Sequence, residues 1–289
     1  MRPSFSTVAC PNWPLDRIAE QARDWGYLGI ELRTFLHAST AIAGEPALTD
    51  PAKVRRLLRH AGLSLESLAT GLRFDEPCSP PVIGHLLARS RRCIDEARSA
   101  VGLGVALECP IVRVFGFEII GSEKRSSAIT RIADRLRLVA DHCRNSGVRL
   151  AVENAGSFST ASQLAELLDA IDHPQAAASY SIPVAISAGE NPRDGVNVLG
   201  ERLVIARVKD MHEGVPCALG EGEIDCRPGV EALAERGFRG AVVFEYDRLW
   251  FPAAPACEDI LARSARTLFA WSGAGSGARA SQPPHAAHA

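Results

Sequence analysis

The chain has 289 residues, a formal net charge of -2 and 46% hydrophobic residues, which is the composition of a globular protein. Its charges are nearly balanced without a long basic or acidic run, so we expect no nucleic-acid or membrane partner. No stretch of about twenty apolar residues predicts a membrane span. The N-terminus enters a strand-like pattern without the apolar region of a signal peptide, so we expect a cytoplasmic protein.

Apolar runs of strand length alternate with helical patterns along the whole chain. The predicted strands cover residues 5–9, 28–32, 64–70, 111–115, 149–153, 177–182, 204–209 and 241–245. The predicted helices cover about 15–25, 51–60, 82–103, 126–145, 159–171, 191–200, 227–236 and 257–271. Pro14, Asp50 and Pro51 mark helix starts, and Gly26 and Gly62 mark helix ends.

Eight strands alternating with eight helices indicate parallel strands joined by crossover helices, and the count predicts a closed α/β fold, a single (β/α)8 TIM barrel. An open doubly wound sheet is the alternative, but it normally carries a Gly-rich turn after the first strand. Residues 10–13 read Cys-Pro-Asn-Trp and contain no glycine. We therefore predict one barrel domain over 1–271. The remainder, 272–289, is rich in Gly, Ala, Ser and Pro and is expected to be disordered.

Three predicted strands share a design in which an apolar run ends in charged residues. They read VRLAVEN over 148–154, LVIARVKD over 203–210 and AVVFEY over 241–246. Because active sites of such barrels lie at the carboxyl ends of the strands, we predict a catalytic site built from Glu153, Arg207, Lys209 and Glu245. Other strand ends add polar residues, namely Glu31, Arg33, Arg73, Arg113, Asn154, Ser181, Asp210 and Asp247.

Each of these residues alone is more typical of an ordinary ion pair, whereas a ring of both charge signs at one end of a barrel indicates a functional site. Arg33, Arg73 and Arg113 predict a substrate that carries carboxylate or phosphate, because a guanidinium matches those groups with two hydrogen bonds. We assign Asn154, Ser181 and Trp250 to substrate binding as well. Trp250 closely follows the eighth strand and has the best position of the aromatic residues to contact a substrate.

These motifs, with IELR over 30–33, AGENP over 188–192 and LGEGEID over 219–225, give the chain a specific pattern over nearly its whole ordered length. In that pattern the sequence resembles the sugar phosphate isomerase/epimerase family of xylose isomerase-like barrels. The resemblance implies a divalent metal (Mn, Mg or Zn) held by Glu, Asp, His and Glu from strands five to eight.

This chain departs from that ligand set. Glu153 and Glu245 match the two glutamates, but the expected Asp falls on Ser181 and the expected His on Arg207. A guanidinium repels a cation and stays protonated, so we expect no metal cofactor and expect Arg207 to take the electrostatic place of the ion. If a metal does bind, Glu153 and Glu245 would hold it, with His212 as a weak third candidate.

The resemblance implies an isomerase, epimerase or lyase that acts on a small polar, carbohydrate-like anion. Glu153 and Glu245 would transfer protons, while Arg207 and Lys209 would stabilise negative charge; a Schiff base on Lys209 is a less favoured option. The alternative is a non-catalytic or repurposed barrel in which Glu153, Arg207 and Glu245 form a structural ion triad. The expected partner is a small molecule, and a homo-oligomer is compatible with the resemblance.

Overall fold

The computed structural model describes residues 1–35, 38–42, 50–76, 89–121 and 123–273. Residues 274–289 of the predicted tail and residues 82–88 of the predicted third helix lie outside this set. Within it, the strands are β1 (Arg2–Ser6), β2 (Gly29–Phe35), β3 (Ala38–Ile42), β4 (Ser64–Arg73), β5 (Ile111–Phe115), β6 (Arg149–Glu153), β7 (Ala176–Ser181), β8 (Leu203–Val208), β9 (Asp210–His212), β10 (Val215–Cys217) and β11 (Ala241–Phe244).

The helices follow the strands in alternation. They are α1 (Leu15–Asp24), α2 (Pro51–Ala61), α3 (Arg89–Leu107), α4 (Arg125–His142), α5 (Ala161–Ile171), α6 (Ile182–Ser187), α7 (Pro192–Leu199), α8 (Arg227–Glu235) and α9 (Cys257–Trp271). Across the described ranges, no helix is long and apolar enough to cross a membrane.

Eight parallel strands close into a barrel, as the alternating pattern predicts. The order is β1-β11-β8-β7-β6-β5-β4-β2, and β1 closes the ring by pairing with both β11 and β2. The prediction of a (β/α)8 TIM barrel is therefore confirmed, and the open doubly wound sheet is excluded.

Two predicted strand ends are wrong, and three additional strands were not predicted. The first strand ends at Ser6 rather than at residue 9, because Thr7–Ala9 form a 3-10 turn although they continue the apolar run. The sixth strand ends at Ser181, where α6 begins with Pro183 in its first turn. Strand β3, which pairs antiparallel with the barrel strand β2, and the hairpin β9–β10 are additions to the eight-stranded ring. They do not follow from the sequence pattern, since they interrupt the strand–helix repeat.

The helix end signals in the sequence act as expected in α2. The Asp50 carboxylate accepts hydrogen bonds from the backbone N–H groups of Ala52 and Lys53. Gly62 ends the helix in the left-handed conformation, with φ of 70°. These local signals fix where the helix returns the chain to the barrel at β4.

The period of two along each strand determines what faces the barrel interior. A small apolar cluster, formed by Ile111, Ala151, Ile205, Ala241 and Val243, joins the β5, β6, β8 and β11 strands. Two residues further along, the same faces carry Arg113, Glu153, Arg207 and Glu245. The interior is therefore apolar towards the start of the strands and charged at their carboxyl ends, where the neighbouring strands place these side chains together.

Candidate active site

Arg207 is the centre of the charged layer. Its side chain is 1% exposed and forms ion pairs with three carboxylates from three other strands. Nη1 lies 2.5 Å from Oε2 of Glu31, Nη2 lies 2.7 Å from Oε1 of Glu245, and Nε lies 3.3 Å from Oε2 of Glu153. The structure thus brings together the three residues of the predicted ion triad and adds Glu31 as a fourth member.

Hydrogen bonds from neighbouring strands fix two of these carboxylates further. Arg113 Nη1 donates to Oε1 of Glu153 at 3.1 Å, and the Ser179 hydroxyl donates to Oε2 at 3.0 Å. The Ser67 hydroxyl donates to Oε2 of Glu31 at 2.6 Å. Both oxygens of Glu153 are held in place, so its orientation is set before any ligand binds.

The electrostatics of the layer keep Glu31 and Glu245 ionised. Burial alone would raise the pKa of Glu245, but the positive charges of Arg207, Arg113 and Lys209 outweigh it and lower the pKa to about 2. Burial likewise opposes the charge on Glu31, whereas Arg207 and Arg113 hold its pKa below the usual range. Both groups are carboxylates at neutral pH, and their ion pairing weakens them as proton acceptors.

Lys209 and Asp247 form a second, more accessible pair beside this layer. Lys209 Nζ lies 3.1 Å from Oδ2 of Asp247, with the lysine side chain 30% exposed and the aspartate 11%. Burial would lower the pKa of Lys209, but the charges of Asp247 and Glu245 raise it overall. The amine therefore stays protonated, which disfavours a Schiff base. Burial and the nearby charge of Glu245 raise the pKa of Asp247.

Two of the predicted substrate-binding arginines lie at the rim. Arg33 donates from Nη1 to the Thr70 carbonyl at 3.1 Å, and its Cζ lies 5.7 Å from the centre of the Trp250 ring. Burial and the charge of Arg113 lower the pKa of Arg33 to about 10. Trp250 is 51% exposed, and Arg73 is exposed with its guanidinium against Phe117. These groups are available to a ligand that enters from solvent.

Asn154 and Ser181 occupy the ends of β6 and β7, where they are buried. The Asn154 amide donates to the carbonyls of Ser159 and Ser181 and accepts from the Ser181 N–H at 2.6 Å. These contacts go to the backbone and fix the two strand ends relative to each other. Their assignment to substrate binding stays a prediction, and the geometry adds a positioning role for Asn154.

The residues present do not fit a divalent metal. A cation between Glu153 and Glu245 would face the guanidinium of Arg207, whose nitrogens already lie within ion-pair distance of both carboxylates. His212 is exposed and faces Glu223, with Nδ1 3.8 Å from Oε1. Among the residues that the structure describes, no three His, Cys, Asp or Glu side chains are grouped to hold a metal ion.

Several polar atoms at the carboxyl ends of the strands are buried without a hydrogen-bond partner. They are Glu31 Oε1, Ser6 Oγ and the Nε atoms of Arg33 and Arg113. Glu31 Oε1 can accept a hydrogen bond from a hydroxyl group, and the two arginine Nε atoms can donate to an anionic oxygen.

Glu31 and Asp247 are among the polar strand-end residues to which the sequence pattern assigns no role. Glu31 is the inward position two residues after Gly29, and Asp247 follows Glu245 at the same spacing. This period of two is the sequence signal that places both side chains at the site. It does not show what they contact, because the partners of Glu31 and Asp247 lie on other strands.

Comparisons with known proteins agree with this fold. A family described as "Xylose isomerase-like TIM barrel" matches residues 19–268. Among solved structures, a xylose isomerase-like TIM barrel/4-hydroxyphenylpyruvate dioxygenase fusion protein is 22% identical, with a TM-score of 0.74, over 94% of this chain and 42% of its own length. The chain thus spans less than half of that fusion protein.

Two other structures match over nearly their whole length. An L-ribulose 3-epimerase is 15% identical over 97% of this chain and 99% of its own, with a TM-score of 0.77. The probable 3-DHS dehydratase AsbF from Bacillus anthracis is 16% identical over 93% and 98%, with a TM-score of 0.74. Such low identities establish a shared fold. A search of curated proteins found no match.

Proposed function

Since the chain belongs to the xylose isomerase-like TIM barrel family, we propose that it is an enzyme that moves protons on a small polar, carbohydrate-like anion. The reaction class is isomerisation, epimerisation or elimination. The observation that carries the proposal is the layer of ionised groups of both signs around Arg207 at the carboxyl ends of the strands. The printed names of the structural relatives, a 3-epimerase and a probable dehydratase, support this class of reaction.

The proposed chemistry begins with removal of a proton from a carbon next to a carbonyl group. Glu153 and Glu245 are the assigned acid/base residues, and the fixed charges of Arg207 and Lys209 would stabilise the enediolate that forms. Because ion pairing makes Glu245 a weak base, we add Asp247 to this set. Its raised pKa and partly exposed pair with Lys209 suit it to give the proton back.

We propose that this reaction needs no divalent ion. The guanidinium of Arg207 supplies a positive charge between Glu153 and Glu245, where the resemblance implies that relatives place a metal. A guanidinium has several N–H groups in fixed directions, so Arg207 can keep its carboxylate partners and still donate to a ligand oxygen. Arg33 and Arg73 at the rim would then select an anionic substrate.

A second candidate function is a ligand-binding barrel without catalysis. Arg207 is 1% exposed and each of its nitrogens lies near a carboxylate, which is also the arrangement of a structural ion cluster. In that case Glu153 and Glu245 would serve stability, and the rim would bind a ligand that is not converted.

Solvent exchange separates these functions even when the reaction product is unidentified. The protein would be incubated in D2O with a panel of ketopentoses, ketohexoses and their phosphate esters, and deuterium uptake beside the carbonyl would be followed by NMR. We expect catalysed uptake for at least one anionic compound, at the same rate with EDTA and with added Mn²⁺. Asp247→Asn should slow the exchange by about a hundredfold, as is typical for loss of an acid/base group.

The exposed carboxylate of Glu20 in α1 provides a control, since Glu20→Gln should leave exchange unchanged. Exchange that appears only with Mn²⁺ and disappears with EDTA would contradict metal-free chemistry. Ligands that raise the melting temperature but never exchange would establish the binding barrel instead.

A further inference from the structure

A separate cavity of about 430 Å³ lies at the opposite end of the barrel, where β6, β8 and β11 begin. Its polar lining includes Arg149, the first residue of β6, together with Arg236 and Arg239 from the segment between α8 and β11. Apolar side chains, among them Leu233 and Phe238, complete the walls. The size is within the range of pockets that bind small molecules, roughly 300–1,000 Å³.

None of these three arginines is neutralised within the part of the chain that the structure describes. Arg149 is half-buried and its side chain contacts no carboxylate or carbonyl there, and burial lowers its pKa. Arg236 donates only to the Asn197 amide oxygen, at 3.3 Å. Glu201 also lines the cavity but forms no ion pair with a described residue, so the lining has an excess of positive charge.

Two arginines beside the cavity, in contrast, are paired within the protein. Arg202, which follows Glu201, lies 2.6 Å from the Asp169 carboxylate, and Arg193 pairs with Glu235. Carboxylates are therefore provided for the arginines around the cavity but not for those that line it. A half-buried guanidinium without a counter-charge is costly to a fold unless something else supplies the charge.

We propose that this cavity binds the phosphate group of a small organic phosphate. Guanidinium groups recognise phosphate with paired hydrogen bonds, and several of them on one cavity suit a dianion better than a single carboxylate. The apolar wall would contact the organic part of the ligand. The site lies at the barrel end that does not carry chemistry, so occupancy would affect stability or regulation and does not depend on the proposed function.

Isothermal titration calorimetry at constant ionic strength tests the site with three probes: inorganic phosphate, ribose 5-phosphate and uncharged ribose. We expect both phosphates to bind and ribose 5-phosphate to bind more tightly, while ribose alone does not bind here. Arg149→Gln should weaken binding about tenfold or more, as loss of one charged hydrogen bond implies. The matched control Arg202→Gln, on the same face but outside the cavity, should bind like the natural chain.

Arg73→Gln and Arg33→Gln show which end of the barrel is being measured, because the rim of the candidate active site also carries arginines. Binding of inorganic phosphate that survives both substitutions and is lost in Arg149→Gln supports the proposal. Three binding results would overturn it: no binding of either phosphate, equal loss of binding in Arg202→Gln, or loss of binding only in the rim variants. If the protein without phosphate elutes as a dimer in size-exclusion chromatography, and Arg149 is protected from arginine-specific chemical modification, a second copy of the chain covers this face instead.

Discussion

The two ends of the barrel differ in how their buried arginines are paired. At the carboxyl ends of the strands, Arg207 is fully buried and surrounded by three carboxylates. At the amino ends, Arg149 is half-buried and forms no ion pair with a described residue. The first arginine completes a network that folding itself assembles, whereas the second is left with an unsatisfied charge that a ligand can neutralise.

This difference separates a preorganised site from an open one. Four strands and two serine hydroxyls orient the groups around Arg207, so little rearrangement is needed when charge develops on a substrate. At the cavity at the amino ends of the strands, called the lower cavity below, Arg236 and Arg239 are exposed, and Arg236 has a single hydrogen bond to a side chain, that of Asn197. We therefore expect substitutions at the two ends to differ mainly in their effect on stability.

The largest effect is expected for Arg207→Met, which removes the buried ion-pair partner of Glu31 and Glu245 and leaves Glu153 with Arg113 alone. Breaking a buried ion pair from one side typically costs about 3–5 kcal/mol, and the unfolding free energy in urea should fall by that amount. If this variant does not fold, Arg207→Lys serves instead, because lysine keeps the positive charge but loses the paired N–H groups of the guanidinium. Its free energy of unfolding should lie between those of Arg207→Met and the natural chain. A loss below about 1 kcal/mol would show that the cluster is dispensable for the fold.

A pH series measures one member of the cluster by itself. The folded pKa of Glu245 is about 2 against an ordinary 4.5, so its contribution is complete above pH 4.5 and is lost as the pH falls towards 2. That difference corresponds to about 3 kcal/mol. The natural chain should lose stability between pH 5 and pH 3 more steeply than Glu245→Gln, as followed by urea unfolding. Parallel curves would mean that the Glu245 charge is not held by Arg207 in the folded state.

A smaller, opposite effect is expected when the two departures from the metal-binding pattern are reversed. In Ser181→Asp with Arg207→His, the guanidinium is replaced by an imidazole and a third carboxylate is added beside Glu153 and Glu245. Mn²⁺ at a hundred times its Kd should stabilise this double variant by about 2.7 kcal/mol and raise its melting temperature. The natural chain should show no such rise. An equal response of the natural chain would contradict the replacement of the ion by Arg207.

How far the sequence predicts this arrangement depends on the range of the interactions involved. The barrel follows from local periodicity, and so do the inward positions of Glu153, Arg207 and Glu245. The partners of Arg207 depend on register across the closed ring, which no local pattern encodes, and Glu31 is 176 positions away from it. The lower cavity does not follow from the sequence, because Arg149 lies at the start of the VRLAVEN run, away from its charged end, and Arg236 belongs to no motif. The two residues meet only through the fold.

The smallest effect is expected at Arg149, and it completes the comparison with Arg207. Arg149→Gln removes a half-buried charge that contacts no described carboxylate, so the free energy of unfolding should change by less than about 1 kcal/mol. Because burial of an unpaired charge is unfavourable, a slight increase in stability is expected rather than a decrease. Urea unfolding in phosphate-free buffer, beside Arg207→Met, measures this directly. Addition of phosphate should then stabilise the natural chain but not Arg149→Gln, because ligand that binds only the folded state shifts the equilibrium towards it. A loss of about 2 kcal/mol without phosphate would instead indicate that the folded chain already neutralises Arg149, and the lower cavity would no longer require an anionic ligand.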